Sequence, residues 1–416
     1  MKNISRFFTL YWIVYFPTCI AYNDLPGFSS VDEAMTLLLL LYTFMMYGSK
    51  YINKKPWKEF VVCLGVISFY FVYSLFFGAN VIDGILLDLM QEIRPYSIIF
   101  CTWILNPQFT KKQKKWMLIT MIITLFSWIM YHPQALDSQV EAEFPILGQL
   151  AICTGMSYYL FNKDTKMNRL IALGLVLTGM LAPKFKFMGE VVCFIVFVFF
   201  LKKRLNFKSP KTIIYCMVVV VVVLMVTWTR FDVYYVSGLD NENLARPMTY
   251  KTSLKILADY FPFGPGMGTF ACNGAWKYYS PLYFTYNLDG IWGLSPDTGY
   301  FICDAYYPTL AQFGIVGVFF FCWFWKRRLA AIDIIADMRY YRVAMITFCC
   351  LAIEQTADSS WLSGKGMGYC MLIALCLNAN RNQMMEMKRQ QILKRKKELL
   401  LEEKRKQMES SQHEEH

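Results

Sequence analysis

Long apolar runs separated by short polar connections set the pattern of this chain. Taken in order, they predict twelve membrane-spanning helices at about 7–23, 34–48, 59–78, 94–106, 116–132, 145–161, 170–183, 188–201, 212–229, 305–325, 342–356 and 367–379. A hydrocarbon layer of ~30 Å needs about 20 helical residues, so the shorter runs require tilt or extension into their flanks. One long interruption, Arg230–Tyr300, separates the ninth run from the tenth, and sixteen of its 71 residues are Phe, Tyr or Trp. A segment that aromatic is expected to fold, and loops of such length inside a compact domain are usually functional. The predicted fold class is all-α: a polytopic membrane domain over 1–380 carrying one large loop at about 230–304, followed by a charged helical tail at 381–416.

Composition supports the class. Of 416 residues 56% are hydrophobic and 17% charged, with a mean hydropathy of +0.33, too apolar for a soluble protein. Phe7–Tyr22 lacks a small-residue cleavage site and more spans follow, so it reads as the first span rather than a removable signal. The net charge of +12 invites a nucleic-acid reading, but its distribution opposes one. Alternate connections at 49–58, 107–115, 162–169, 202–211 and 326–342 carry 4, 4, 3, 5 and 5 Lys or Arg, and with Lys2 and Arg6 this side holds 23. The opposite short loops hold four: Arg94, Lys184, Lys186 and Lys365. Cations concentrate on the cytoplasmic side of membrane proteins, so both termini are expected there and the large loop outside. The basic charge is thus a topology signal, and the external cations need a local partner or ligand. In the tail, ten Lys or Arg and seven Glu mix, with Met385, Ile392 and Leu399 at sevens, which suits one helix lying near lipid headgroups.

Most of the thirteen cysteines fall within apolar runs, where Cys behaves as a small hydrophobe; Cys272 and Cys303 could meet in the external loop. Of three histidines, only His132 precedes the tail. No metal motif, P-loop or dinucleotide fingerprint is present, so neither metal nor organic cofactor is expected.

The external chemistry starts at Arg246-Pro247, where Pro suits the first turn of a helix. Lys251, Lys255 and Asp259 then follow along one face at a spacing of four, and Arg246 sits where the helix amino terminus already favours anions. Gly264, Gly266 and Gly268 form a side-chain-poor turn that lets the backbone approach another element or a ligand. Lys184 and Lys186 lie in one short turn with Glu190 nearby, placed for an anionic headgroup; if they share it, losing either alone should be mild. Asp88 and Glu92, on an amphipathic stretch 81–94, and Asp297, Asp304 and Asp358 are read as outward-facing acids; Asp304 and Asp358, beside apolar runs where an acid is costly unless paired or functional, are better candidates than loop acids. Trp276, Tyr278, Tyr279, Tyr283 and Tyr286 could stack on sugar rings or form an interfacial belt.

These motifs resemble the O-antigen ligase and polymerase family of polytopic, GT-C-like enzymes. The resemblance is carried by Arg246, three residues, Tyr250, then Pro262-Phe-Gly264-Pro-Gly266-Met-Gly268-Thr-Phe270, and by AQFGIVG at Ala311–Gly317. The turn with Lys184 and Lys186 stands where the family carries Ser-Arg, and no His-Asn pair occurs between Asp297 and Phe313 as it does in the ligase branch. The polymerase branch, acting on exopolysaccharide, capsule or O-antigen units, is favoured.

What the resemblance implies is a metal-independent, inverting glycan transfer at the outer face of the bacterial cytoplasmic membrane. Donor and acceptor would be glycans on polyprenyl (undecaprenyl) diphosphate; membrane lipids, a chain-length regulator and other polysaccharide-assembly proteins would be the partners, and nucleic acid would not. Arg246 with Lys184 or Lys186, and Lys251 and Lys255 nearby, would stabilise charge developing on the departing diphosphate. A carboxylate, with Asp297, Asp304 and Asp358 competing, would accept the acceptor hydroxyl proton. A ligase remains an alternative within the family. A flippase of lipid-linked sugars is the alternative from another class, although such transporters often show symmetric halves and this chain has one asymmetric loop.

Overall fold

Each apolar run folds as helix because backbone N–H and C=O groups in an apolar setting must pair within their own segment. The computed structural model describes residues 2–24, 28, 30–132, 146–181, 184–206, 209–388, 390–392 and 395. Among these there is no strand. The first half of the chain forms α1 (Lys2–Asp24), α2 (Val31–Met45), α3 (Trp57–Phe77), α4 (Ile82–Leu105), α5 (Lys111–Tyr131), α6 (Ile146–Phe161), α7 (Lys166–Leu177) and α8 (Phe185–Ile195). The second half forms α9 (Pro210–Tyr235), α10 (Ala245–Asp259), the short α11 (Asn273–Lys277), α12 (Leu282–Thr285) and α13 (Tyr306–Thr309), then α14 (Gly314–Asp333), α15 (Met338–Ala357) and α16 (Met367–Leu377). Local chemistry sets several ends. Thr110 and Gln113 make a reciprocal capping box at the start of α5, Pro210 opens α9, and Asn106 stops α4 in the left-handed region at φ 47°.

Among the described residues, three helical segments are long and apolar enough to cross a membrane: α3, α9 and the run Tyr306–Asp333 that joins α13 to α14. Shorter apolar helices include α6 and the segment Gly364–Leu377. The centre is built by α6, α16 and the half of α4 from Pro95 onward, whose apolar residues are almost all buried, with α15 packed on α8 and α16. At the rim, α9 buries none of its residues and carries six consecutive valines, 218–223. Such a helix turns only a few side chains, among them Tyr215, Cys216 and Val223, to this chain's core, and the rest of it suits an apolar surrounding.

Three expectations need correction. The amphipathic stretch 81–94 and the predicted span 94–106 are one helix, α4, which continues through Pro95 because packing by α2, α3 and α16 holds both halves in line. In consequence Asp88 and Glu92 do not face outward; both are buried. Of the basic residues assigned to the connection 326–342, Arg328 and Arg342 are also buried. Arg328 pairs with Glu59 and lies over Phe100, Trp103 and Phe324, while Arg342 donates to Leu201 O at 2.7 Å and to Asp164 Oδ2 at 2.9 Å.

The long loop has a core of its own, including Ile256, Phe270, Leu282, Tyr283, Leu288 and Ile302. Tyr283, a candidate sugar platform, is fully buried there and accepts the Ala271 N–H at 3.1 Å, whereas Trp276 stays exposed. Cys272 and Cys303 both remain free thiols. Helix continues from α16 into the tail at 379–388, which includes Met385; Leu399, His413 and His416 lie outside the described residues.

Candidate functional site

Charged side chains from four separate parts of the chain meet where α8 and α16 begin and α15 ends. Arg246 lies in the first turn of α10, and its Nε and Nη2 both donate to Asp304 Oδ2, the former at 2.8 Å. The guanidinium face lies 4.3 Å from the centre of the Tyr234 ring. One turn along α10, Tyr250 donates to the Thr356 carbonyl at 2.9 Å, and Tyr235 donates to the same carbonyl at 2.6 Å. These two bonds tie the end of α9 and the start of α10 to the end of α15, and so fix where Arg246 sits.

Beside that pair runs an alternating line of charge. Lys186 Nζ lies 2.7 Å from both Glu354 Oε2 and Asp358 Oδ2, and Lys365 Nζ lies 3.7 Å from Asp358 Oδ2. Glu354 is held from behind: its Oε2 also accepts Gln149 Nε2 at 3.0 Å and Ser360 Oγ at 2.9 Å. Side-chain exposure is 2% for Glu354, 12% for Lys186 and Asp358, 15% for Arg246 and 23% for Asp304, so Arg246 and Asp304 form the accessible edge. Asp304 lies within electrostatic reach of Asp358 and Lys186.

The two outer carboxyl groups differ in proton affinity. Burial pushes Asp304 above its ordinary value, with Arg246 acting the other way but not cancelling it. At Asp358 burial also acts upward, but Lys186 and Lys365 outweigh it and hold the carboxyl well below the usual range.

Of the residues singled out from sequence, Arg246, Lys186, Asp304 and Asp358 come together here. Lys184 is the N-cap residue of α8. Lys251 and Lys255 are exposed on α10, and Asp259 on the same helix accepts the Tyr286 hydroxyl at 2.7 Å. Asp297 is exposed, and the segment 297–304 consists of turns rather than the helix that would have set Asp297 and Asp304 on one face.

The glycine turn serves the fold at this end. Gly264, Gly266 and Gly268 all have positive φ, at 77°, 97° and 75°. A Cβ on Gly264 would collide with the Gln312 carbonyl oxygen, and one on Gly268 would sit 2.7 Å from that of Gly84, so the turn approaches protein backbone closely. Buried Asp88 explains itself here: its Oδ2 accepts Gly268 N–H at 3.0 Å and Gln312 Nε2 at 2.8 Å, riveting the loop to α4.

Sequence reading passed over Glu354, Lys365, Gln149 and Ser360 as site residues. Glu354 carried a usable signal, an acid inside the apolar run 342–356, because such acids need a partner. Gln149 and Ser360 carried none, since their role exists only through Glu354. No family model matches the chain, and no curated protein matches it. The family resemblance therefore rests on the short motifs alone.

Proposed function

We propose that this chain is a polysaccharide polymerase that transfers a glycan from a polyprenyl diphosphate carrier to a carrier-linked acceptor at the outer face of the cytoplasmic membrane. The observation that carries the reading is the convergence of Arg246, Lys186, Asp304 and Asp358, distant in sequence, at one end of the bundle. Departure of a lipid diphosphate concentrates negative charge on phosphate oxygens, and pre-positioned cations stabilise that charge without reorganising. Arg246 takes this role with its planar fork, and Lys186 supplies a second charge. Asp304 is the general base, because it is the more accessible acid and its proton affinity is the higher of the two. The glycan acceptor would reach it from the side of the large loop, and the carrier tail would lie against the apolar helices.

In this reading twelve spans cross the membrane and both termini are cytoplasmic, as the charge asymmetry of 23 to 4 requires. A single cysteine introduced at Asn243, exposed in the large loop, is expected to react with an impermeant reagent in intact cells, and one at Lys203 only after lysis. Labelling in the reverse order would put the charged cluster on the cytoplasmic side and end the proposal.

The chemistry is tested by purified protein in detergent, given lipid diphosphate-linked repeat units. Elongation without a bilayer marks an enzyme, and a flippase would leave the glycans unchanged. Its pH profile separates the two acids. With Asp304 as base, kcat/KM falls on acidification through a limb above the ordinary Asp value of about 3.9, because a raised carboxyl loses its basic form sooner. With Asp358 as base, the limb would lie below that value and activity would persist at pH of about 4. The limb should disappear, along with most turnover, in Asp304→Asn.

A further inference from the structure

The two outer carboxylates of the cluster are placed as anions on cations. Asp304 puts one oxygen against two donors of Arg246, and Asp358 puts one oxygen between Lys186 at 2.7 Å and Lys365 at 3.7 Å. The inner acid is different, since Glu354 is fully buried and held by Gln149 and Ser360 as well as by Lys186. Were the outer acids simply partners that neutralise buried cations, Lys186 would need only Glu354, which already meets it at 2.7 Å. Asp358 is instead shared by two ammonium groups, so its departure would leave Lys186 and Lys365 with only Glu354 between them and one positive charge uncompensated. Carboxylate and phosphate oxygens satisfy the same donors.

We infer that Asp304 and Asp358 occupy two adjacent oxyanion subsites of a diphosphate, the first on Arg246 and the second between Lys186 and Lys365. The inference rests on the glycan-transfer reading for the identity of the lipid, and it deepens that reading in two ways. Lys365 becomes a binding residue, although it lies in a different loop from Lys184 and Lys186. Glu354 becomes a positioning residue: its fixed carboxylate retains Lys186 when Asp358 is displaced, so the ammonium stays in place for phosphate. Ligand binding also frees Asp304 from Arg246 at the step where a base is needed. An oxyanion on Arg246 excludes the carboxylate from the same donors, so the base is released only when the donor is seated.

The experiment measures binding of inorganic pyrophosphate and of farnesyl diphosphate to the full chain in detergent, separately from elongation. Asp304→Asn and Asp358→Asn each remove a competing anion, so each should tighten pyrophosphate binding at least about tenfold, since like charges in contact oppose binding strongly. Lys365→Gln should weaken it by a similar factor. Inorganic phosphate should bind more weakly than pyrophosphate because it fills one subsite. Unchanged or weaker binding in both Asn variants overturns the inference. Should an Asn variant fail to fold, Lys365→Gln decides: unaltered affinity removes the second subsite. Equal farnesyl and inorganic pyrophosphate affinities assign the site to the diphosphate alone, and tighter farnesyl binding adds a lipid contribution; weaker farnesyl binding argues against a lipid ligand and so against the inference. Failure of the glycan-transfer reading is seen elsewhere, as wild-type protein that binds pyrophosphate but elongates nothing.

Discussion

If the chain elongates glycans as proposed, replacing Arg246 with Ala is expected to lower elongation by about 10²- to 10³-fold or more, with near-normal amounts of protein in the membrane. Loss of a single pre-positioned donor to a developing oxyanion has this size, and Arg246 presents two donors from one rigid fork. The fold should tolerate the change. Asp304 loses its partner but is 23% exposed, so it reaches solvent and can take up a proton rather than remain a buried, unpaired charge. Tyr235 and Tyr250 still fasten the end of α9 and the start of α10 to Thr356 O. Arg246→Lys should stay poor, because a point charge cannot reach both positions of the fork or lie flat over Tyr234. Elongation and abundance are measured together. Full activity in Arg246→Ala would remove the residue from the reaction, and with it the strongest motif linking the chain to the family.

Lys186→Ala is expected to fail differently, through the fold as well as the chemistry. Read from sequence, Lys184 and Lys186 looked like equivalent cations whose single loss would be mild. Their surroundings make them unequal. Lys186 is the ammonium between Glu354 and Asp358, and its removal leaves Glu354, 2% exposed, with no cation against it. Stranding a buried charge in this way costs about 3–5 kcal/mol, enough to deplete a marginally stable protein. Abundance and thermal stability should therefore fall along with elongation. The triple variant Lys186→Met, Glu354→Gln, Asp358→Asn removes Lys186 and both of its carboxylate partners together and should recover much of the stability, because neutral side chains of similar volume carry no such penalty. Elongation should not return with it. A Lys186→Ala protein of normal stability would mean that Glu354 is not the buried, dependent charge described above.

The helices were legible for a plain reason. An apolar run in an apolar surrounding has one way to pair its backbone, so hydrophobicity read along the chain yields helices wherever the runs are long. Boundaries were less legible where polar residues sit inside a helix. At α4 the acids Asp88 and Glu92 and the pair Arg94-Pro95 looked like the end of a surface segment, yet each polar group has its own partner across the packing: Gly268 N–H for Asp88, Tyr306 OH for Glu92, Asp32 and Glu33 for Arg94. Sequence periodicity does not register partners that lie far along the chain.

Sequence by itself determined the all-helical class, the position of the large loop, and Arg246 at a helix start in company with Tyr250. These follow from local rules: apolar length, aromatic content, Pro at a first turn, and residues one turn apart on a helix. Only the tertiary structure decided which charges face each other. Arg246 meets Asp304 58 positions away, and Lys186 meets Glu354 and Asp358 at 168 and 172. Lys186 and Lys184 share composition and neighbourhood, and Asp304 differs locally from Asp297 only in lying beside an apolar run. What separates them is which helix end packs beside them. Electrostatic interaction falls off over a few ångströms and strengthens with burial, so a residue's chemistry is set by packing that no short stretch of chain contains.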